Sequence, residues 1–108
     1  MCGICGFVGK VEDKSAILEK MMNRIIHRGP DDAGTYEKKE AALGFRRLSI
    51  IDLENGHQPM FNENGDVVIV FNGEIYNHRE VRRDLEEKGH IFKNASDTEC
   101  LIHAYEEY

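Results

Sequence analysis

The chain has no long apolar run. None of its 108 residues belongs to a stretch approaching the ~18 consecutive apolar residues that a membrane-spanning helix needs. No basic segment followed by an apolar one stands at the N-terminus, so no secretory signal is expected. Positive charge is in deficit. Fourteen Lys and Arg against twenty Asp and Glu leave a net charge of -6, which argues against nucleic acid or an anionic membrane as partner. Cysteine is scarce and odd in number: three suit a reducing cytosol better than a disulfide framework, and a cytoplasmic location is expected. Cys2 and Cys5 form a lone C-x-x-C, two ligands where a structural zinc site wants four. A redox C-x-x-C usually opens a helix, whereas the glycines around this pair read as strand. The five histidines show no H-x-x-x-H spacing, so no metal is assigned. Repeats, low-complexity tracts and linkers are missing too, which leaves one domain or part of one.

What is present reads as alternating short elements. Cys2 to Val8 is glycine-rich and apolar, a buried strand approached closely by other backbone. Ile17, Leu18, Met21, Met22, Ile25 and Ile26 recur at helical spacing, with Asp13 or Ser15 as the cap and Gly29-Pro30 as the stop. Gly34–Lys38 and Ala41–Arg46 read as paired strands. Gln58–Phe61 and Val67–Phe71 read as a second pair, its latter strand apolar enough to be covered on both faces. Asn77 opens a helix, with Glu80 as reciprocal cap, a Tyr76–Val81 staple and Gly89 as its end. Ile91-Phe92 is a brief strand. Ser96-Asp97-Thr98-Glu99 is a capping box opening a last helix, whose buried stripe is Cys100, Leu101, Ala104 and Tyr105. The order predicts an α+β fold with largely antiparallel sheet.

Cys2 lies directly behind the initiator Met. With Met1 removed, one residue carries both a thiol and an α-amine that titrates near ~7.7, a nucleophile and its base together. With Met1 retained, that amine is locked in a peptide bond. Asn72-Gly73-Glu74 follows the apolar strand. It reads either as a plain turn or as two N–H donors able to hold an oxyanion, one from the Asn72 amide and one from the unobstructed Gly73 backbone. Arg46 or Arg47, at a strand end, reads as a solvated charge or as a fork for a carboxylate. Asp97, in the first turn of a helix, reads as a dipole-stabilised carboxylate or as the receiver of an ammonium group. His27-Arg28-Gly29-Pro30-Asp31 reads as a structural corner.

Taken in order, Met1-Cys2-Gly3-Ile4-Cys5-Gly6, His27-Arg28-Gly29-Pro30-Asp31, Arg47-Leu48-Ser49-Ile50-Ile51-Asp52, Gly56-His57-Gln58-Pro59, Asn72-Gly73-Glu74-Ile75-Tyr76-Asn77 and Ser96-Asp97-Thr98-Glu99 resemble the glutaminase domain of glutamine-dependent asparagine synthetases. Those are class II glutamine amidotransferases, among the N-terminal-nucleophile hydrolases. The likeness covers nearly the whole chain. Pro30, the Arg-Leu-Ser-Ile run and Glu-Ile-Tyr-Asn set this branch apart from amidotransferases that make phosphoribosylamine, glucosamine phosphate or glutamate.

The resemblance implies a four-layer fold, helices outside and two antiparallel sheets inside, of which this chain supplies the first part. It implies Cys2 as nucleophile, with its own α-amine moving the proton. Asn72 and Gly73 form the oxyanion hole, and Arg47 binds the glutamine α-carboxylate. The Leu48, Ser49, Ile50 and Ile51 backbone lines the pocket, and Glu74 and Asp97 receive the amino group. L-Glutamine is the expected substrate; glutamate and ammonia are the expected products. In such enzymes ammonia passes to a C-terminal synthetase domain that uses ATP and magnesium on aspartate. No Ser-Gly-Gly loop for that chemistry stands in this chain, so no cofactor is assigned to it. A sheet lacking its remaining strands invites association, which keeps a homo-oligomer open. Two other readings stay open: an amidotransferase with another acceptor, and a truncated chain that binds glutamine or a partner without turnover.

Overall fold

A computed structural model of the chain describes residues 2–48 and 57–108. In order, the elements are strand β1 (Gly3–Val8), helix α1 (Lys14–Arg24), strands β2 (Asp32–Lys38), β3 (Ala41–Arg47), β4 (Met60–Phe61) and β5 (Val68–Ile69), and helices α2 (His78–Glu87) and α3 (Asp97–Glu107). The first three strands form an antiparallel sheet in the order β1-β3-β2, and β4 pairs antiparallel with β5. The mixed α/β architecture with antiparallel sheets is the one expected.

Alternation along the three-stranded sheet decides what each face meets. Cys5, Phe7 and Ala42 lie on one face, where Leu18 and Met22 of α1 seat against them. Gly34, Tyr36 and Phe45 lie on the other. There Tyr36 meets Phe61 edge-to-face at 5.6 Å between ring centroids, and Gly34 lies under the Gln58–Pro59 peptide. A Cβ at Gly34 would stand 2.9 Å from Pro59 Cδ and 3.0 Å from the Gln58 carbonyl carbon. Absence of a side chain at position 34 therefore lets the two sheets approach.

The apolar helix at 17–26 ends earlier than its pattern. α1 stops at Arg24 and a 3₁₀ turn, Ile26–Arg28, carries the chain to Gly29. Neither expected cap is made: the Asp13 carboxylate accepts no cap hydrogen bond, its backbone being left-handed, and the Ser15 hydroxyl donates instead to Glu37 on β2. β1 is an edge strand rather than a buried one, with Ile4 and Val8 exposed.

Between β4 and β5 the chain turns through Asn62–Asp66. The buried Asn62 side chain accepts from the Val67 N–H, and Gly65 takes the positive φ that the turn requires. β5 is shorter than expected and only half-covered. Val68 and Ile69 share an open groove with Leu101, Ala104, Tyr105 and Tyr108 of the α3 side. That groove corrects two expectations, coverage of Val67–Phe71 on both faces and a buried Tyr105, which is 76% exposed.

α2 closes as its glycine signals. The Gly89 N–H bonds the Glu86 carbonyl and the His90 N–H the Leu85 carbonyl, a Schellman end with Gly89 at positive φ. Its start differs: Asn77 makes no side-chain cap, and Tyr76 is 92% exposed, so no staple forms. The brief strand at Ile91-Phe92 is not formed; the backbone there is irregular and Ile91 is exposed. No capping box closes on Ser96 either. Glu99 reaches further back, accepting from Lys93 N at 2.7 Å and Asn94 N at 3.0 Å. This tether turns α3 so that Thr98, Glu99, Cys100, Ile102 and His103 are its buried residues.

Gly34→Ala is expected to force the Gln58–Pro59 peptide off the sheet and to cost about 1–3 kcal/mol, the range for overpacking. Urea unfolding of the intact protein measures it. An unchanged midpoint would show that the sheets do not depend on this approach.

Candidate functional site

Cys2 immediately precedes β1. Its carbonyl accepts two hydrogen bonds, one from Arg28 Nε and one from Asn72 Nδ2, each at 3.0 Å. The second joins residues 70 apart in sequence and brings Cys2 to the segment that follows β5. An amide nitrogen carries two hydrogens, so anchoring Cys2 uses one of the two that Asn72 offers.

The His27–Asp31 corner is structural, as read, and it serves both sides of the site. Gly29 is buried where a Cβ would run into the Arg46–Arg47 peptide. Arg46 Nε donates to the Gly29 carbonyl at 2.8 Å, and the Asp31 N–H to the Arg47 carbonyl at 3.0 Å. The same corner holds Cys2 through Arg28. Gly3 pairs with Arg46 across β1 and β3. Cys2 and Arg47 are the residues that adjoin this pair, Cys2 before Gly3 and Arg47 after Arg46. Arg47 also lies opposite Asp32. The Asp32 carboxylate is held below its usual range, first by the Ala33 N–H and then by His57 at 2.7 Å and the charge of Arg47.

Gly73, Glu74 and Asp97 line one cleft of ≈ 490 Å³, together with Ile75, Tyr76 and Ser96. Asp97 Oδ2 accepts from the Ile75 N–H at 2.9 Å, which ties the start of α3 to the 72–75 turn. The structure therefore joins Cys2 to Asn72, and Gly73 and Glu74 to Asp97. Leu48 follows β3 directly and is exposed. Ser49, Ile50 and Ile51 lie outside the described residues.

Gln58 was singled out only as part of a motif, and its position is more informative than that. Its side chain is 5% exposed. The amide oxygen accepts from the Phe71 N–H at 2.6 Å, and the amide nitrogen donates to the Phe71 carbonyl at 3.0 Å. One side-chain amide thus stands in for a strand partner to Phe71, the residue before Asn72. The same nitrogen lies 3.4 Å from Thr98 Oγ1, next to Asp97. A polar residue amid Gln-Pro-Met-Phe, where burial is expected, is the signal that could have pointed to it.

All three thiols are unpaired. Burial pushes the Cys5 and Cys100 thiols up, the opposite of what a redox or nucleophilic cysteine needs. Cys2 and Cys5 stand three apart at and before a strand, so their side chains leave on opposite faces. That spacing does not let the pair share one metal.

A family model described as a glutamine amidotransferase domain matches residues 1–108. Among curated proteins, the chain is 45% identical to asparagine synthetase [glutamine-hydrolyzing] 1 of Bacillus subtilis, over 97% of this chain and 18% of that protein. It is 45% identical to asparagine synthetase [glutamine-hydrolyzing] 1 of Arabidopsis thaliana over 100% and 19%, and 42% identical to a probable asparagine synthetase of Dictyostelium discoideum over 99% and 20%. The chain thus spans about a fifth of the length of these relatives. A match along all 108 residues places the chain in the glutamine amidotransferase domain family.

Proposed function

We propose that this chain hydrolyses the side-chain amide of L-glutamine, with Cys2, once Met1 is removed, as nucleophile. The observation that carries the reading is the Asn72–Cys2 hydrogen bond. It seats a candidate oxyanion donor against the proposed nucleophile.

In this reading the Cys2 α-amine takes the thiol proton and the thiolate adds to the amide carbon. The oxygen of the tetrahedral adduct is met by the second Asn72 N–H and the Gly73 backbone N–H. The amine returns its proton to the departing nitrogen, ammonia leaves, and a glutamyl thioester remains. Water then adds to the thioester, and glutamate and the thiol are regenerated. Glutamine is a zwitterion, so its site wants a cation and an anion. Arg47, which like Cys2 adjoins the Gly3–Arg46 pair, is the carboxylate fork. Asp97 and Glu74, sharing a cleft with Gly73, take the ammonium group. Gln58 fixes the Phe71 peptide and with it the direction in which Asn72 leaves the strand.

The layering supports an N-terminal-nucleophile hydrolase fold of four layers. α1 lies outside the three-stranded sheet, whose other face meets the Gln58–Phe61 segment, and α3 lies against the β4–β5 pair. The relatives' names support asparagine synthesis as the use of the ammonia, made on a C-terminal synthetase domain to which ATP and magnesium belong. No helix of the described residues is long and apolar enough to cross a membrane.

Three substitutions in the intact protein test the assignment. Cys2→Ala is expected to abolish glutamate release from glutamine; turnover surviving it would put the nucleophile elsewhere. Asn72→Ala is expected to lower kcat about 10²–10³-fold, the usual effect of losing an oxyanion donor, and a normal kcat would remove it from that role. Arg47→Ala is expected to act chiefly by raising KM for glutamine, while an unchanged KM would take Arg47 out of the carboxylate site.

A further inference from the structure

Away from the cleft, four side chains from three parts of the chain converge. Glu63 comes from the β4–β5 turn, His90 from the loop after α2, and His103 and Glu106 from one face of α3. One ligand-capable atom from each lies within 4.8 Å of all the others. His103 is the unusual member. Its side chain is 2% exposed, and neither ring nitrogen has a hydrogen-bond partner among the described residues. A buried imidazole left in that state is costly unless something else binds it.

The distances show what would. His103 Nδ1 is 3.1 Å from Glu63 Oε1 and 3.5 Å from Glu106 Oε1, and His90 Nδ1 is 3.6 Å from the same Glu63 oxygen. Four ligands at the usual zinc–nitrogen and zinc–oxygen lengths of ~2.0–2.2 Å stand roughly 3.3–3.6 Å apart on the edges of a tetrahedron. Both histidines turn Nδ1 inward, and each has a carboxylate behind its Nε2. Glu107 Oε1 is 3.0 Å from His90 Nε2, and Glu99 Oε1 is 3.6 Å from His103 Nε2. That outer pair is the arrangement that fixes the tautomer of a metal-bound imidazole. Glu99 is itself held by the Lys93 and Asn94 amides, and Phe92 packs on the His103 ring at 4.5 Å between centroids.

We propose that Glu63, His90, His103 and Glu106 form a structural site for a divalent metal of the zinc type. Two imidazoles and two carboxylates make a closed four-ligand set, which suits structure rather than catalysis. The ion would tie the β4–β5 turn and the loop after α2 to α3. The His-x-x-Glu step on α3 is the sequence signal, hidden because its partners lie 13 and 40 residues upstream of His103. This inference is independent of glutamine hydrolysis.

Metal-stripped intact protein is titrated with Zn²⁺ against a chromogenic chelator, and Co²⁺ is used in parallel for its tetrahedral visible absorption. The expected result is an equivalent of Zn²⁺ that survives Cys2→Ser/Cys5→Ser and that raises Tm. Glu63→Gln, at an exposed position, and His90→Gln, at a partly buried one, are expected to weaken it at least about a hundredfold. Glu107→Gln should weaken it only about 10–100-fold, as for a residue that orients a ligand. Wild-type affinity in Glu63→Gln and His90→Gln would overturn the proposal. So would loss of the equivalent in the cysteine variant, or failure of the wild type to take up Zn²⁺.

Discussion

The carbonyl of Cys2 ties the first sheet and its helix to the segment that follows the second strand pair. One lone pair is taken by Arg28, from the corner that also holds Arg46 and Arg47, and the other by Asn72, from the end of the second strand pair. A backbone carbonyl has two such acceptor sites, and both are filled. Cys2 is thereby fixed in position through its carbonyl oxygen. Neither thiol nor nitrogen is needed for the anchor. In the proposed reaction, an anchor of this kind does not compete with the thiol.

Asn72 can reach that carbonyl only if the strand before it is held in register, and β5 is too short to do so alone. Gln58 supplies what the short ladder lacks, by giving Phe71 both a donor and an acceptor. The geometry of Gln58 in turn depends on its peptide lying flat on Gly34. A chain of close contacts thus runs from a strand of the first sheet, through a buried amide, to the candidate oxyanion donor. Each link is of a kind that a larger or less polar residue would break, which explains glycine at 34 and a buried glutamine at 58.

Local signals in the sequence carried the element types well. The β2–β3 hairpin, the Gly89 stop and the Leu18–Met22 part of the α1 face follow from short-range chemistry, whereas Ile17 and Ile26, expected on that face, are exposed. The candidate site was legible because its residues sit at strand ends and helix starts, where Cys2, Asn72, Gly73 and Asp97 had chemical readings of their own. What was not legible depended on competition between partners. Ser15 had a cap to make but found Glu37; Glu99 had Ser96 within reach but found the Lys93 and Asn94 amides. Helix spacing put Tyr105 inward, yet rotation of α3 about that Glu99 tether turned His103 inward instead. Local pattern names the candidates for burial, and only the tether decides among them.

That rotation explains why α3 buries glutamate and histidine where an apolar stripe was expected. Glu99 is satisfied by two backbone amides, so its burial is compensated. His103 is not, since its nearest carboxylates are close but misaligned for hydrogen bonding. An imidazole pair backed by outer carboxylates resolves the imbalance if a cation sits between them, because a metal ion needs short distances to several oxygens and nitrogens rather than one aligned N–H. The Glu99 tether acts on α3, the helix whose first residue, Asp97, holds the Ile75 amide. The buried Glu99–His103 face of α3 and the candidate cleft thus share a single eleven-residue helix.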